Sequence, residues 1–207
     1  MTAPALVFHQ DTHQYLLDGR PVLSVTQILK LAGLSSDFEH VSPLVLERKR
    51  EIGEAVHMAT QYLDEGTLSW SSVDPEVEPY VRAYERFRAE TGIVPIYSEL
   101  RVYHRVHRYA GTLDRIGVVP GTTRAALIDL KTGDPVAAGA RFQTAAYLEA
   151  VKAMSLPIDG RSLIERWSVE LQPTGRYAIT KHADPRDFDL FLAAAKIAAF
   201  KTWGGSR

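Results

Sequence analysis

The turn Pro120-Gly121-Thr122-Thr123 constrains this chain more than any other stretch, because it joins two apolar, β-forming runs at residues 112–119 and 124–131. A hairpin folded about the middle of that turn sets Asp114 directly opposite Asp129, and cross-strand neighbours lie about 5 Å apart. Side chains alternate along a strand, so Asp129 and Lys131 project to the same side about 7 Å apart. Ile116, Val118, Ala125 and Leu127 are expected on that same face. Three charged groups are therefore expected to converge on a buried strand, and buried charges need a compensating partner.

Two carboxylates that close repel each other unless a cation lies between them. Hard oxygen donors select magnesium or manganese, and magnesium is typically held by one or two carboxylates together with substrate phosphates. Lys131 is placed to orient or deprotonate an attacking water, or to neutralise charge growing on a phosphate. The competing explanation is a surface hairpin with a screened ion pair, worth at most about 1 kcal/mol. The apolar neighbours argue against that much exposure.

At 207 residues the chain suits one domain. It divides into an N-terminal β-hairpin region (1–24), a helical region (25–92) and a catalytic region of sheet and helices (93–207). The net charge is -1, so nucleic-acid binding has to come from a local patch. Having no cysteine, the chain can form neither disulfides nor thiolate zinc sites nor cysteine-ligated iron-sulfur clusters. No apolar run approaches about 18 residues and no signal pattern opens the chain, so a cytoplasmic enzyme without membrane contact is expected.

Residues 5–24 read as two or three short strands, and Ser24-Val25-Thr26-Gln27 has the form of a capping box opening a short helix that Gly33 ends. Ser42-Pro43 opens a longer helix running to about Gly66, with Ser42 as N-cap. This helix carries His57, with Gly53 one turn before it on the same face. A lone helical histidine is more often packed or solvated than ligating. A mid-helix glycine costs about 1 kcal/mol relative to alanine, which close approach of backbone, metal or substrate would offset. Arg48, Lys49 and Arg50 are a candidate phosphate patch, although the interleaved Glu47, Glu51 and Glu54 suit a solvated face for most of that run.

A further helix spans about 74–92, followed by a strand at about 95–102 that carries Glu99. Residues 101–109, the most basic stretch, interleave Arg101, Arg105 and Arg108 with aromatic rings, which suits single-stranded nucleic acid as well as a polar exposed hairpin. Arg115, beside Asp114, is added to the candidate DNA contacts. His104 and His107 make only a weak zinc signature. After the central hairpin a helix is expected from about Ala137 to Ala153, placing Gln143 and Tyr147 on one face. A second hairpin is expected through Pro173-Thr174-Gly175. Asp184-Pro185 then caps a terminal helix whose apolar side is expected on the sheet.

Taken together, Gly53-x-x-x-His57, then GTLDRIG around Asp114, then LIDLKTG around Asp129 and Lys131, then Gln143-Thr-Ala-Ala-Tyr147, resemble the PD-(D/E)XK nuclease superfamily in its RecB-type branch. With Ser24-Val25-Thr26 upstream, the chain is similar to the mitochondrial genome maintenance exonuclease and to phage exonucleases. The resemblance covers roughly residues 24–147 and rests on four motifs in the right order.

This resemblance implies an α/β fold, a mixed central β-sheet flanked by helices with a restriction-endonuclease-like core. It implies Asp114 and Asp129 as metal ligands, Lys131 as the catalytic lysine, and Gln143 with Tyr147 near the scissile phosphate. His57 and the main-chain carbonyl of Leu130 would complete the metal site, with Glu99 as a further carboxylate. The implied activity is a Mg2+ or Mn2+ dependent deoxyribonuclease, an exonuclease on DNA ends or single strands, leaving 5'-phosphates by in-line attack of water. Cluster-bearing RecB relatives need four cysteines, so this would be a form without an iron-sulfur cluster. No helicase phosphate loop is present, so the enzyme would act alone or with a separate recombination or helicase partner, in a bacterial or phage setting. The alternatives are a sequence- or structure-specific endonuclease and a non-cleaving DNA-end binding module.

Overall fold

A computed structural model describes residues 6–35, 42–132 and 138–204, the side chains of 163, 164 and 203 excepted. The chain opens with three antiparallel strands, β1 (Leu6–His9), β2 (Gln14–Leu17) and β3 (Arg20–Ser24). Ser24 then closes the expected capping box: its hydroxyl accepts from the Gln27 N–H while the Gln27 side chain accepts from the Ser24 N–H. This starts α1 (Val25–Leu31), and Gly33 follows its end with φ +75°.

Helix α2 (Pro43–Glu65) begins after Ser42, whose side chain makes no capping bond, and ends at the left-handed Gly66. A short 3-10 turn (Trp70–Ser72) leads to α3 (Glu78–Thr91). The long β4 (Val94–His104) and β5 (Tyr109–Val118) pair antiparallel, and β6 (Arg124–Thr132) completes the central hairpin. Arg115 pairs with Ile128 and Val118 with Ala125, the register expected from the turn. Helix α4 (Ala140–Ala153) follows; its expected start at Ala137 lies outside the described residues. The chain ends with β7 (Ser162–Leu171), β8 (Tyr177–Lys181) and α5 (Asp187–Ala199), then one π-helical turn.

Eight strands form one mixed sheet. Its order is β1-β2-β3-β5-β6-β7-β8, with β4 on the other edge of β5. The two sides of the sheet carry separate cores. On one, α1, α4 and α5 bury Leu29, Val151 and Phe191 with Ile116, Ala125 and Leu127 of the central hairpin. On the other, α2 and α3 bury Val56, Tyr84 and Phe87 with Ala126, Ile128 and Leu130. The split follows the two-residue alternation of β6.

Two expectations need correcting. The terminal helix packs chiefly on α1 and α4 and so adds an outer layer, with Phe191 reaching the ring of Tyr109 at 5.0 Å. Its N-cap residue is Arg186, not Asp184; the Asp184 carboxylate instead accepts the Arg186 N–H.

One feature of the topology prepares the site. On the edge away from β4, β5 pairs with β3 in parallel at Tyr109 and Ala110, and with β6 antiparallel from Arg115 onward. Between those two stretches β5 changes neighbours, and the sheet splits at Gly111–Asp114. Ser24, the last residue of β3, sits at this junction and is only 2% exposed. Replacing Ser24 by alanine removes one half of the capping box and is expected to cost about 1 kcal/mol, read as a lower urea midpoint at unchanged m-value.

Candidate active site

The split in the sheet is filled by a side chain. Where β6 leaves β5, the Leu130 N–H donates to Asp114 Oδ2 at 2.6 Å. Asp114 thus takes a bond that strand pairing would otherwise supply, and its other oxygen remains free to face α2. His57 Nδ1 lies 3.5 Å from Asp114 Oδ1 and 3.2 Å from Glu99 Oε1. His57, Glu99 and Asp114 each offer one ligand atom, all within 4.8 Å of one another. They form the one such three-ligand group found among the described residues.

Backbone geometry explains how two carboxylates reach the helix from adjacent strands. Leu113 and Ile116 belong to the same core although three residues apart, so the alternation of β5 breaks at Asp114–Arg115. Directly across, Glu99 has φ +49°, a left-handed conformation that costs a non-glycine residue about 1–2 kcal/mol. Ser98 pairs with Arg115 and Leu100 with Leu113 on either side of it. This kink turns Glu99 and Asp114 together toward His57.

Beneath the cluster lies Arg115. It was expected at the DNA surface, but its side chain is 0% exposed and cannot reach a phosphate. Its guanidinium donates to Asp64 at 2.5 Å, to Glu99 at 3.0 Å, to Thr60 Oγ1 at 2.8 Å and to the Asp114 carbonyl at 2.7 Å. Asp64 in turn accepts from Tyr84 at 2.9 Å and Ser98 at 3.1 Å and pairs with Arg88 at 3.0 Å. The break in alternation that aims Asp114 at the site is also what buries Arg115, and residue type and spacing give no sign of it.

Lys131 forms the second half of the site. Its ammonium donates to Asp129 Oδ1 at 3.0 Å and to Gln143 Oε1 at 3.2 Å. Asp129, 1% exposed, is also within 3.5 Å of the Ser168 hydroxyl, which contacts His182 at 2.9 Å. Tyr147 is buried, and its ring stands where a side chain on Gly111 would be, 2.7 Å from that position. Among the expected metal ligands, Glu99 therefore joins the three-ligand group while Asp129 lies outside it, engaged by Lys131. The Leu130 group that bonds Asp114 is its N–H, whereas the expectation was for its carbonyl to complete the metal site.

The electrostatics follow from this crowding. Burial pushes the Asp114 carboxyl up to about 6; His57 opposes the shift while Asp129 and Glu99 reinforce it. Burial disfavours charge on His57, but Asp114 and Glu99 outweigh it and raise the imidazole above its usual range. Glu99 is held below the usual carboxylate range: burial works the other way but is overcome by His57 and Arg115. Lys131 is likewise raised despite burial, by Asp129 and Asp114. Burial, reinforced by Asp114 and Asp129, raises the Tyr147 hydroxyl well above its ordinary value. Three carboxylates, Glu99, Asp114 and Asp129, thus crowd beside His57 and Lys131, with Arg115 bonded to Glu99 from beneath, and these oxygen donors with one imidazole are compatible with magnesium or manganese.

The remaining candidates separate by position. Arg105 and Arg108 are exposed at the β4–β5 turn, and Arg101 is exposed on β4. Arg48 is held by Glu51 and Glu76, and Arg50 by Glu47 and Glu54, so this face of α2 is a network of ion pairs. Gly53 accommodates the Thr132 side chain, which would lie 3.3 Å from an added Cβ. His104 stacks on Phe188 and His107 meets the same ring edge-on, and neither belongs to a three-ligand group among the described residues.

Comparison with known proteins agrees with this architecture. The family model of the PD-(D/E)XK nuclease superfamily matches residues 39–202. No curated protein matches the chain. A solved structure titled as a candidate exonuclease from Eubacterium rectale is similar in fold, with a TM-score of 0.53 and 14% identity over 90% of this chain and 82% of that one. An alkaline exonuclease from Laribacter hongkongensis, LHK-Exo, is more distant at a TM-score of 0.40 and 14% identity, covering 87% of both chains.

The Arg115 cluster gives a stability prediction. Arg115→Ala leaves Asp64 and Glu99 without their buried partner and is expected to cost about 3–5 kcal/mol. Urea denaturation would measure it, and Asp64→Asn in the same background should recover part of the loss.

Proposed function

The chain belongs to the PD-(D/E)XK nuclease superfamily, and from that premise we infer that it is a divalent-metal-dependent deoxyribonuclease. It hydrolyses phosphodiester bonds as an exonuclease on DNA ends or single strands, in recombination, repair or replication. The observation that carries this reading is the meeting of His57, Glu99 and Asp114 within 4.8 Å, beside a lysine held by Asp129 and Gln143.

His57, Glu99 and Asp114 would hold the metal, with Asp129 and the Leu130 carbonyl next to them. Bound there, Mg2+ or Mn2+ supplies Lewis-acid chemistry at the phosphate. The protein's own groups do the rest. Lys131, an ammonium donating to two acceptors, is suited to orient water and to neutralise charge growing on the phosphate, and less suited to accept a proton. Asp129 fixes that ammonium on one side and Gln143 on the other, so Lys131 reaches the reaction already oriented. Tyr147 keeps its hydroxyl proton and serves as a hydrogen-bond donor beside Gln143. Arg101, Arg105 and Arg108 supply the local positive surface for the DNA backbone that the overall charge does not. Arg48 would join them only by releasing its glutamate partners. A helicase or recombination protein would be a separate partner.

Asp114→Ala and Lys131→Ala are each expected to reduce cleavage of end-labelled DNA by at least about 10³-fold, with the thermal melt showing a folded chain. EDTA should abolish activity and Mg2+ or Mn2+ restore it; cutting that survives EDTA or both substitutions refutes the mechanism. Supercoiled circular DNA should stay intact, and its digestion would assign an endonuclease instead. Metal-independent DNA binding without cleavage would assign a binding module.

A further inference from the structure

The face of β5 that carries Asp114 continues to Thr112 and Ala110, at the two-residue spacing of one strand side. On β4, Arg101 pairs with Thr112 and Tyr103 with Ala110. The β1–β2 hairpin lies over this face. Tyr15, Leu17 and Val22 pack on Ala110, joined by Phe8 and Tyr103, and the Tyr15 hydroxyl hydrogen-bonds Thr112 at 2.8 Å. At the outer rim, Phe8 stands 4.5 Å from the Tyr15 ring and meets His13 edge-on at 5.1 Å, while the Arg101 guanidinium lies 5.0 Å from the Phe8 centroid. His13 and Arg101 are exposed and Phe8 is half-buried. A continuous path of rings and one guanidinium thus runs from beside the metal-ligand carboxylates to the surface.

Arg101 lies over the Phe8 ring and the Tyr15 ring is tilted against it, so the exposed guanidinium plane carried by these rings offers two things at once, a stacking surface for a nucleobase and a positive charge for the adjoining phosphate. Arg101 makes no ion pair among the described residues, whereas the arginines of α2 and α3 are largely bound to glutamates. Duplex DNA keeps its base faces stacked within the helix, so the surface fits unpaired nucleotides. Arg101 is two residues from Glu99, about 7 Å along the strand, which brings the surface beside the candidate metal group. We propose that the β1–β2 hairpin and Arg101 form a stacking platform for the unpaired bases of single-stranded DNA flanking the bond to be cut. The proposal rests on the nuclease reading and adds to it a use for the N-terminal hairpin.

The test compares steady-state cleavage of labelled single-stranded oligonucleotides by the native protein, Phe8→Leu and Arg101→Gln, each checked by thermal melting. Phe8→Leu keeps an apolar side chain over Tyr15, and Arg101→Gln changes only an exposed residue, so one of the two reports even if the other fails to fold. Loss of one stacked base is expected to raise KM about tenfold while kcat at saturating DNA is retained. In the native protein a single abasic site one or two nucleotides from the cleaved bond should impose a similar penalty, and in Phe8→Leu that abasic site should add little further loss. Blunt duplex should be nearly insensitive to Phe8→Leu. An unchanged KM in both variants, a full abasic penalty in Phe8→Leu, or an equal loss on duplex DNA overturns the platform. Normal cutting with an unchanged KM removes the platform alone, whereas a native protein that cuts no DNA removes the nuclease reading with it.

Discussion

The buried guanidinium of Arg115 is the interaction on which the rest of the site depends. It joins Asp64 and Thr60 of α2 to Glu99 of β4, and so fixes the helix that carries His57 against the strands that carry the two carboxylates. A charge taken fully out of water is tolerated only when its donors are satisfied, and here the partners come from three separate elements. That requirement also fixes the height of α2 over the sheet. Because Thr60 passes the constraint to the His57 carbonyl at 3.0 Å, the position of the imidazole is set from behind the site.

A second constraint comes from the sheet itself. A strand that changes neighbours leaves a gap along one edge, and in sheets of mixed direction such gaps are where functional groups gather. In this chain the gap lies between the β3 and β6 contacts of β5, and Asp114 fills it by accepting the Leu130 N–H. The same carboxylate therefore closes the backbone and faces the ligand group. Glu99, left-handed across from it, holds local backbone strain within the candidate metal group.

Much of this was legible in the sequence because it depends on local rules. The turn at Pro120–Thr123 set the register of β5 and β6, Ser24-x-x-Gln27 announced α1, and the spacing of Gln143 and Tyr147 put both on one helix face. Asp129 and Lys131 share a face as alternation requires. Alternation failed at Asp114–Arg115, where a kink in the facing strand broke the period; Arg115 was accordingly misplaced on the surface, and the grouping of Glu99 with His57 could not be derived from spacing. The role of Ser168 and His182 behind Asp129 was invisible for another reason: parallel pairing between β6 and β7 depends on a crossover through α4, which no short-range pattern encodes.

The three side chains of the candidate metal group, His57, Glu99 and Asp114, come from α2, β4 and β5 and lie far apart in the chain, so no fragment carries the group by itself. A partly folded chain that has formed the β4–β5–β6 meander but not yet docked α2 would hold its carboxylates around an uncovered Arg115, with no imidazole between them. Docking of that one helix adds His57 and withdraws the arginine from solvent in a single event. The group is thus as cooperative as the tertiary fold, and its assembly is linked to global folding rather than to the stability of any one hairpin.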